Sequence, residues 1–489
     1  MAESVEPADP IIDAWRSLAE RALKGAALES LDFAMDDGVR ADAISLPPLA
    51  APATPVYTGR ATAGPWAIVQ RVDTDGTSAK QATDDLQNGA TALSLVFAGA
   101  PAAFGAGLTA ATVSDLDAAL DGVYLNLVPI HLQAGALGLE ALVLMAGLAK
   151  ARGTPLHTLH AGIDPLGALA ATGEGFGADG IQGRLQRAVA AHVALGVKGT
   201  ALVADGSVYA EAGATPVQEL ALALWTLRDY AAALDAEGVP PSQSLPQIAM
   251  HLCASQEQFV TMAKMRAARR LHALFCEACG VSAPLTLHAT TARRMLAVSD
   301  PHTNLLRLTI AAFGAGVGGA DAVTVLPFDQ ASSAFARRMG RNIQTLLLEE
   351  SHLGALMDPA AGSGTIETLT DEMARAAWAL FQAEAGGGAS LADALIDGRI
   401  ARLCGAIAQE PVIIGVTKHP PPEPYAATRT EAIGAPQTRA LNVTATDVDG
   451  MIEAALKGAT LADLAAWQPP QSLGSHPLRP LRDSAHFEA

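Results

Sequence analysis

Residues 341–371 read RNIQTLLLEESHLGALMDPAAGSGTIETLTD, and no other stretch of the chain says more about its fold. We interpret the short run Ala355–Asp358 as the last of eight strands and the residues after it as a closing helix. The intervening Gly362-Ser363-Gly364 has the composition of a phosphate-binding loop. It lacks the lysine and the strand–loop–helix spacing of a P-loop, so a turn after the last strand is the better interpretation.

Upstream of this stretch, runs rich in β-branched residues and leucine alternate with long alanine-rich helical stretches such as Thr215–Ala236 and Glu257–Ala278. Eight strands, each followed by a helix, predict an α/β fold, a (β/α)₈ TIM barrel. A doubly wound open sheet would show the same alternation, but the number of strands and the length of the chain favour the barrel. The other seven strand candidates are Leu93–Phe97, Val123–Ile130, Leu156–His160, Gly199–Ala204, Gln247–Leu252, Leu285–Ala289 and Ala322–Leu326.

The flanking segments differ from the barrel pattern and divide the chain into three parts. Residues 1–63 form an N-terminal arm, with a helix over 11–30 and a Pro- and Ala-rich connector over 46–55. Residues 64–371 form the barrel. Residues 372–489 form a mostly helical C-terminal extension with a Pro- and Arg-rich tail, in which Pro411–His419 is a further strand candidate and Val448–Trp467 a further helix.

Charge and hydropathy exclude several classes of protein. The chain has 489 residues and a formal charge of −18, whereas nucleic acids and anionic membranes require a basic surface on their partners. The same charge opposes binding of the CoA phosphates unless a local cluster of Arg or Lys reverses the field. No uninterrupted run of about 18 apolar residues occurs, and the acidic N-terminus does not resemble an export signal. We therefore predict a cytoplasmic protein.

The four cysteines do not predict a metal or redox site. Cys276-x-x-Cys279 has a spacing found in such sites, but no second pair of thiols or histidines follows at a zinc-site spacing. Both residues lie in a predicted amphipathic helix, where positions i and i+3 simply share a face. We expect reduced thiols and no bound metal.

Several segments resemble, in the same order, the methylmalonyl-CoA mutase family, which rearranges acyl-CoA carbon skeletons with radicals generated by adenosylcobalamin. The order extends from residue 15 to residue 418, so the resemblance covers most of the chain. It implies a barrel of the acyl-CoA mutase type. Besides residues 341–371, the similar segments are Trp15–Gly25 (WRSLAERALKG), Pro65–Gln70 (PWAIVQ), Glu211–Thr215 (EAGAT), Ala263–Leu271 (AKMRAARRL), Asp300–Asn304 (DPHTN) and Ile413–Lys418 (IIGVTK).

The cobalamin-binding part of the family has no counterpart in this sequence. In the family, a D-x-H-x-x-G loop supplies the histidine that replaces the lower ligand of the cofactor. None of the 12 histidines has aspartate two residues before it and glycine three residues after it. The chain ends PLRPLRDSAHFEA, which resembles the junction where the family's barrel part meets the cobalamin domain. We expect no cofactor on this chain and adenosylcobalamin in a partner subunit.

The positions that act on the substrate in the family have also changed. Just before its E-A-G-A sequence the family has a Tyr-His pair that polarises the thioester carbonyl, and Ser207 and Val208 stand there. Valine cannot donate a hydrogen bond, so that role is lost. Thr286 and Thr324 replace an Arg and a His that grip CoA, and the stretch Ala98–Gly107, where the family has an aromatic wedge, is small apart from Phe104.

The resemblance therefore implies no catalytic residue and only three candidate substrate-binding residues. His288 persists next to one changed position, although a single histidine at a strand end is more often structural. Arg293 and Arg294 could meet a phosphate, but an exposed helix start explains them equally well. Whether side chains plug the barrel stays open, because the residues at its expected mouth are small.

Two main hypotheses follow. The first is a non-catalytic barrel subunit, inactive by itself, of an adenosylcobalamin-dependent methylmalonyl-CoA mutase, in a heterodimer with a catalytic large subunit. The second is a substrate-binding barrel subunit of a related acyl-CoA mutase that works with a separate cobalamin-binding subunit. It does not explain why several substrate-contacting positions changed together. A barrel repurposed for another ligand, or for regulation of the mutase, is a third possibility.

Overall fold

The structure is a computed structural model and describes residues 10–35, 37–45, 59–73, 78–176, 178–404, 412–423, 425, 441, 443–445 and 447–485. Its centre is a sheet of eight parallel strands. The first four strands pair in sequence order, the last four strands also pair in sequence order, and the eighth strand pairs with the first. The strands are β1 Ala67–Val72, β2 Ala92–Val96, β3 Ile130–Gln133, β4 Leu159–His160, β5 Leu202–Asp205, β6 Ile248–Ala254, β7 Leu287–Thr291 and β8 Ala322–Thr324.

The remaining gap, between β4 and β5, is closed by parallel bridges. These pair Ile163 with Leu202 and Thr158 with Lys198. The amide of Val203 donates to the carbonyl of Ile163 at 3.2 Å, so backbone hydrogen bonds continue around the sheet. The predicted (β/α)₈ barrel is confirmed.

Helices follow the strands and cover the outside of the barrel, and the predicted helices Thr215–Ala236 and Glu257–Ala278 are confirmed as α8 and α10. Thr215 caps α8 with its side chain, and a proline follows at the first helical position. The helices are α1 Pro10–Leu23, α2 Ser78–Gln87, α3 Val113–Ala119, α4 Gly138–Arg152, α5 Pro165–Thr172, α6 Ala178–Ala194, α7 Ser207–Glu211, α8 Pro216–Ala236, α9 Pro241–Ser244, α10 Gln258–Ala278, α11 Thr303–Val317, α12 Ala334–Thr345, α13 Gly364–Ala385, α14 Leu391–Ile396, α15 Arg399–Cys404, α16 Val448–Leu456 and α17 Leu461–Leu464.

Two strand predictions are corrected by the structure. The first strand is Ala67–Val72, in the segment expected only to lead into the barrel. The predicted eighth strand, Ala355–Asp358, is wrong, because these residues form a turn. The backbone polar groups of this turn serve other contacts: the carbonyl of Met357 accepts from the amide of Arg60 at 3.1 Å. With Ala67–Val72 included, β8 is Ala322–Thr324.

Smaller differences concern the ends of elements. Only Ile130 of the predicted strand Val123–Ile130 lies in β3. The first helix ends at Leu23, because Lys24 and Gly25 have positive φ angles of 51° and 100°. Residues 412–419 turn back on themselves with one bridge between Ile414 and Lys418, so they form no regular strand, and residue 411 lies outside the described residues. Within the predicted helix over 448–467, α16, α17 and a short 3₁₀ turn are separated by bends.

Residues 341–371 fasten the barrel from outside. Arg341 pairs with the buried Asp85 of α2, and Asp358 and Glu367 both pair with Arg266 of α10, whose side chain is 1% exposed. The tripeptide Gly362–Gly364 is the turn into α13, which packs across α8 and α10 and continues through the predicted boundary at residue 371. The charged residues of this stretch therefore form ion pairs that hold the scaffold together.

The core lies between the sheet and its helices. Met262, Met265 and Leu271 of α10 are buried there, as expected for barrel-helix residues. The indole of Trp66, 1% exposed, donates to the side-chain oxygen of Gln344 at 3.1 Å and so joins the entry to β1 with α12. Within the described part of the chain, every helix is too short or too polar to cross a bilayer.

Candidate functional site

Four histidines from four strands meet inside the barrel. His160 stacks on His131 with ring centroids 4.5 Å apart, and His251 stacks on His288 at 4.7 Å. The two pairs touch through His131 and His288, whose centroids are 5.0 Å apart. The rings thus form one continuous group, which we call the imidazole row. They come from β3, β4, β6 and β7.

The imidazole row closes the lumen of the barrel. Strands β3 and β7 lie on opposite sides of an eight-stranded barrel, so the contact between His131 and His288 crosses its axis. Both residues are 7% exposed and His251 is 5% exposed. A cavity of about 70 Å³ remains around the row, which is room for a few water molecules. The sequence did not decide whether the barrel is open or plugged. In the structure, the histidine side chains plug its axis.

Hydroxyl and carboxylate groups hold the rings in place. His160 Nδ1 lies 3.1 Å from Thr200 Oγ1, and His288 Nε2 lies 2.9 Å from the hydroxyl of Thr324. His251 Nε2 lies 2.8 Å from Thr290 Oγ1, and its Nδ1 lies 3.3 Å from Asp205 Oδ2. Asp205, Thr290 and Thr324 lie on strands next to those of their histidines, and Thr200 lies just before β5, so these contacts follow from the geometry of the barrel.

Burial and a neighbouring carboxylate shift the pKa values of the four histidines in different directions. Burial lowers the pKa of His131 and of His288 well below the usual value, and it lowers the pKa of His160 to about 4. Burial also opposes the charged form of His251, but the carboxylate of Asp205 outweighs it and the pKa of His251 is raised. Burial therefore favours the neutral form of His131, His160 and His288, whereas the carboxylate of Asp205 favours the charged form of His251.

A second cavity, of about 500 Å³, lies at the carboxyl ends of the strands, and we call it the mouth cavity. Active sites of TIM barrels occur at this end. His251 and Gln133 line both the mouth cavity and the smaller cavity, so the His251 end of the imidazole row lies at the floor of the mouth cavity. Its walls come from β1, from α5, from the segments that follow β2, β5 and β7, and from the C-terminal tail; they include Arg71, Phe104, Ser207, Val208, Glu211, Arg293 and Leu478.

The two residues at the altered Tyr-His positions line this cavity without offering it a hydrogen-bond donor. The hydroxyl of Ser207 donates to Asp205 Oδ1 at 2.5 Å, and Val208 presents only carbon. The adjacent Tyr209 is fully buried, and burial raises the pKa of its hydroxyl well above the usual value, while a side-chain hydrogen bond with Thr226 acts in the opposite direction. A carbonyl placed in the mouth cavity would therefore receive no polarising hydrogen bond from these side chains.

The three candidate substrate-binding residues occupy different places. His288 lies in the lumen and is bonded to Thr324, which stands where the family has a histidine. Arg293 lines the mouth cavity. Arg294 points away, with Nη1 donating to the carbonyl of Ala210 at 3.0 Å and Nη2 lying 2.9 Å from Asp483 Oδ1. Substrate binding by any of them stays a prediction.

Glu211 holds the backbone that carries both arginines. Its Oε1 accepts from the amide of Arg293 at 2.6 Å and its Oε2 from the amide of Arg294 at 3.0 Å. Burial raises the pKa of Glu211 to about 7, although these hydrogen bonds and the two guanidinium groups act in the opposite direction. The carboxyl group thus spans the turn after β7 and is close to half protonated at neutral pH.

No described group of three or more His, Cys, Asp or Glu side chains has the arrangement of a metal site. All four cysteines are free thiols. Cys276 lies near the end of α10, 3.7 Å from Nε2 of the buried His272, and burial raises its thiol pKa to about 11. Such a thiol is unreactive, which agrees with the expectation of ordinary reduced cysteines.

Of the four histidines in the row, only His288 was predicted as a site residue from the sequence; His131, His160 and His251 were not. A signal was present, since each lies within a short apolar run that the structure shows as a strand: IHLQ, LH and IAMHLCA. Histidines recurring in four strands of one barrel at inward positions would have predicted a common layer. Considered separately, each reads as an isolated core histidine.

Comparison with known proteins agrees with this architecture. A family model described as methylmalonyl-CoA mutase matches residues 54–425. The methylmalonyl-CoA mutase small subunit of Streptomyces virginiae is 42% identical over 330 residues, which cover 66% of this chain and 52% of that protein. A probable methylmalonyl-CoA mutase small subunit of Mycobacterium tuberculosis is 41% identical over 328 residues, covering 62% of this chain and 52% of that protein.

Similarity to a protein without the small-subunit designation is lower. The methylmalonyl-CoA mutase of Rhizobium meliloti is 34% identical over 224 residues, which cover 43% of this chain and 32% of that protein. The chain spans about half the length of the small subunits that it matches.

Proposed function

The chain belongs to the methylmalonyl-CoA mutase family, and on that basis we propose that it is a small, non-catalytic barrel subunit of a methylmalonyl-CoA mutase. A catalytic large subunit carries the interconversion of methylmalonyl-CoA and succinyl-CoA in this complex. The small chain stabilises the partner as a heterodimer. The names of the relatives from Streptomyces and Mycobacterium support the subunit type.

The imidazole row is the observation that carries the non-catalytic part of the proposal. With His131 and His288 in contact across the lumen, a CoA ester has no passage along the barrel axis. Ser207 and Val208 supply no donor to a thioester carbonyl. Ser207 and Val208 at the Tyr-His positions, and the imidazole row that closes the lumen, therefore both oppose catalysis by this chain.

The residues of this chain do not fit the lower-ligand role that adenosylcobalamin requires. No histidine stands in a D-x-H-x-x-G sequence. Four histidines are held in the imidazole row, and His192 bonds to the carbonyl of Leu159 at 2.8 Å. We assign adenosylcobalamin, which supplies the radical when bound, to the large subunit.

Exposed apolar side chains support the existence of a partner. Leu306 and Ile310 lie one turn apart on α11 and are 66% and 38% exposed. The neighbouring α12 exposes Phe335, and the π-helical turn after it exposes Leu346. Large apolar side chains grouped on adjacent helices are typical of protein–protein interfaces. We assign this face to the contact with the large subunit.

Co-purification tests the proposal. The chain, tagged and expressed in its native host, is expected to bring down a large mutase chain in equimolar amount, and the pair is expected to turn over methylmalonyl-CoA with adenosylcobalamin. The chain without that partner is expected to show no turnover. Turnover after addition of only a free cobalamin-binding subunit would favour the alternative, a substrate-binding barrel subunit, and would overturn the proposal.

A further inference from the structure

The mouth cavity contains a guanidinium group that has no anionic side chain bound to it. The amide of Arg293 donates to Glu211, but none of the described residues accepts a hydrogen bond from its guanidinium group. That group instead lies over the ring of Phe104, 4.8 Å from its centroid. Buried or half-buried arginines are normally paired with carboxylates or phosphates. The mouth cavity thus leaves several strong donors of Arg293 available.

Positive charge accumulates around this arginine. Arg71 also lies over Phe104, at 5.8 Å, while its Nε remains 2.9 Å from Asp73 Oδ2. Burial lowers the pKa of Arg293, and the charges of Arg482 and Arg71 lower it further against the effect of Glu211. Repulsion among these arginines is a cost that a bound anion would relieve.

The nearby acids do not cancel this charge. Asp205 Oδ2 lies 3.3 Å from Nδ1 of His251, and Asp205 Oδ1 accepts from the hydroxyl of Ser207. Glu211 is close to half protonated at neutral pH, and both of its oxygens accept backbone amides. Asp73 is shared between Arg71 and the buried Arg337. Among the described residues, none of these three acids forms an ion pair with the guanidinium of Arg293.

The rest of the cavity wall is suited to an organic molecule. Ala100–Ala103, Phe104, Val208 and Leu478 form an apolar lining. Phe104 has φ 50° and ψ 34°, a left-handed conformation that costs a phenylalanine about 1 kcal/mol or more. The flanking structure maintains this conformation, with the ring of Phe104 against the guanidinium of Arg293.

Gln133 supplies a second polar group without a partner. Its side-chain oxygen is buried, has no hydrogen-bond partner within the part of the chain that the structure describes, and belongs to a residue that lines the mouth cavity. Since a glutamine amide can present either its oxygen or its nitrogen, this position can accept from a hydroxyl or donate to a carboxylate. The mouth cavity therefore has polar groups at Arg293 and Gln133 with apolar surface around them.

We propose that the mouth cavity binds a compact organic carboxylate, with the carboxylate on the guanidinium of Arg293 and the carbon skeleton against Phe104. The ligand is compact because the His251 end of the imidazole row lies at the floor of a cavity of about 500 Å³. Charge-assisted hydrogen bonds from a planar guanidinium suit a carboxylate, and the apolar wall favours an organic anion over phosphate. The inference does not depend on the proposed function, because the ligand is free of CoA.

Titration calorimetry on the purified full-length chain tests this inference. The probes are the unbranched dicarboxylates from three to six carbons, with inorganic phosphate as a separate arm. We expect one saturable site for at least one dicarboxylate, with affinity at least about tenfold higher than for phosphate. We expect Arg293→Gln to weaken this binding at least about tenfold. Arg375→Gln, which removes a guanidinium that is 70% exposed on α13, is the matched control and is expected to bind as the unmodified chain does.

Phe104→Leu provides a second test if Arg293→Gln does not fold. It keeps an apolar side chain but removes the ring, and we expect at least about threefold weaker binding. Absence of saturable dicarboxylate binding to the unmodified chain would overturn the inference, and so would equal affinity for phosphate. Unchanged affinity in a folded Arg293→Gln or Phe104→Leu variant would also overturn it. None of these outcomes bears on whether the chain pairs with a large subunit, so the two proposals fail separately.

Discussion

The imidazole of His131 on β3 lies 5.0 Å from that of His288 on β7, across the axis of the barrel. The contact divides the interior into the lumen, which is closed, and the mouth cavity, which is not. A barrel of a substrate-binding family thus keeps its strands and helices while its own side chains occupy the axis. The imidazole row can therefore be tested by its effect on the free energy of unfolding, and the mouth cavity can be tested by ligand binding.

The neutral rings of the row predict a loss of stability in acid. The folded pKa of His160 is about 4, below its unfolded value of 6.5, so the unfolded state binds more protons between these values. Its contribution is complete above about pH 6.5 and is lost as the pH falls toward 4. We expect the free energy of unfolding to fall between pH 7 and pH 5 by about 2 kcal/mol less in His160→Asn than in the unmodified chain. Urea denaturation of both chains at both pH values measures this difference.

The comparison between variant and unmodified chain is needed because other groups act in the opposite sense. Burial raises the pKa of Asp164 and of Glu211 to about 7, so their contribution is complete below the unfolded pKa and lost as the pH rises toward 7. The difference between the two chains removes these shared effects. Parallel pH profiles for both chains would show that His160 is not buried in its neutral form.

The ion pairs between α12 and α2 predict a large effect of a single charge. Asp85, 2% exposed, accepts from both Arg337 and Arg341. Asp85→Asn leaves the buried Arg341 without its carboxylate and leaves Arg337 only its longer pair with Asp73, and we expect it to lower the free energy of unfolding by about 3–5 kcal/mol. Asp117→Asn is the matched control, because Asp117 is 56% exposed in its pair with Arg152, and we expect a loss within about 1 kcal/mol. Equal losses of unfolding free energy for the two variants in urea denaturation would show that the buried ion pairs of Asp85 contribute no more than the exposed pair of Asp117.

Restoring the family's Tyr-His pair is not expected to restore chemistry. In the double variant Ser207→Tyr, Val208→His, the two side chains return to the mouth, but the imidazole row still closes the lumen. We expect no gain in methylmalonyl-CoA turnover when this variant is mixed with a cobalamin-binding subunit. Turnover above the background of the unmodified chain would show that these two positions, and not the plug, limit activity.

The exposed face of α11 and α12 predicts the effect of surface charges on assembly. Leu306→Glu places a carboxylate at a side chain that is 66% exposed on α11, and we expect it to reduce co-purification of the large subunit at least about tenfold. Leu127→Glu is the control, because Leu127 is equally exposed but lies in the turn before β3. Quantitative pull-down from the native host measures both. Equal recovery of the large subunit with Leu306→Glu and with the unmodified chain would exclude this face as the contact.

The barrel could be predicted from the sequence because the alternation of strands and helices survives changes in any one element. Its strand count was right for a partly wrong reason. Ala355–Asp358 has the composition of a short strand, but Gly354 and the Arg60–Met357 hydrogen bond place it in a turn outside the sheet. Ala67–Val72 has an equally suitable composition and pairs with both β2 and β8. Strand pairing is a long-range property, so composition alone did not distinguish the two runs.

The candidate site was less accessible from the sequence. Ser207 and Val208 were identified because they precede a recognisable motif, Glu211–Thr215, at fixed spacing. The contact between His131 and His288 joins residues on opposite sides of the barrel, and only its closure brings them together. The different roles of Arg293 and Arg294 also depend on the fold, because Asp483 of the tail engages one and leaves the other at the mouth cavity.

The central claim is that this barrel does not carry the acyl-CoA chemistry. Titration of the purified chain with methylmalonyl-CoA, followed by calorimetry, tests it most directly. The closed lumen predicts no saturable binding with a Kd below about 1 mM. Saturable binding at one site per chain with a Kd near 1 μM, lost on removal of the CoA moiety, would contradict it.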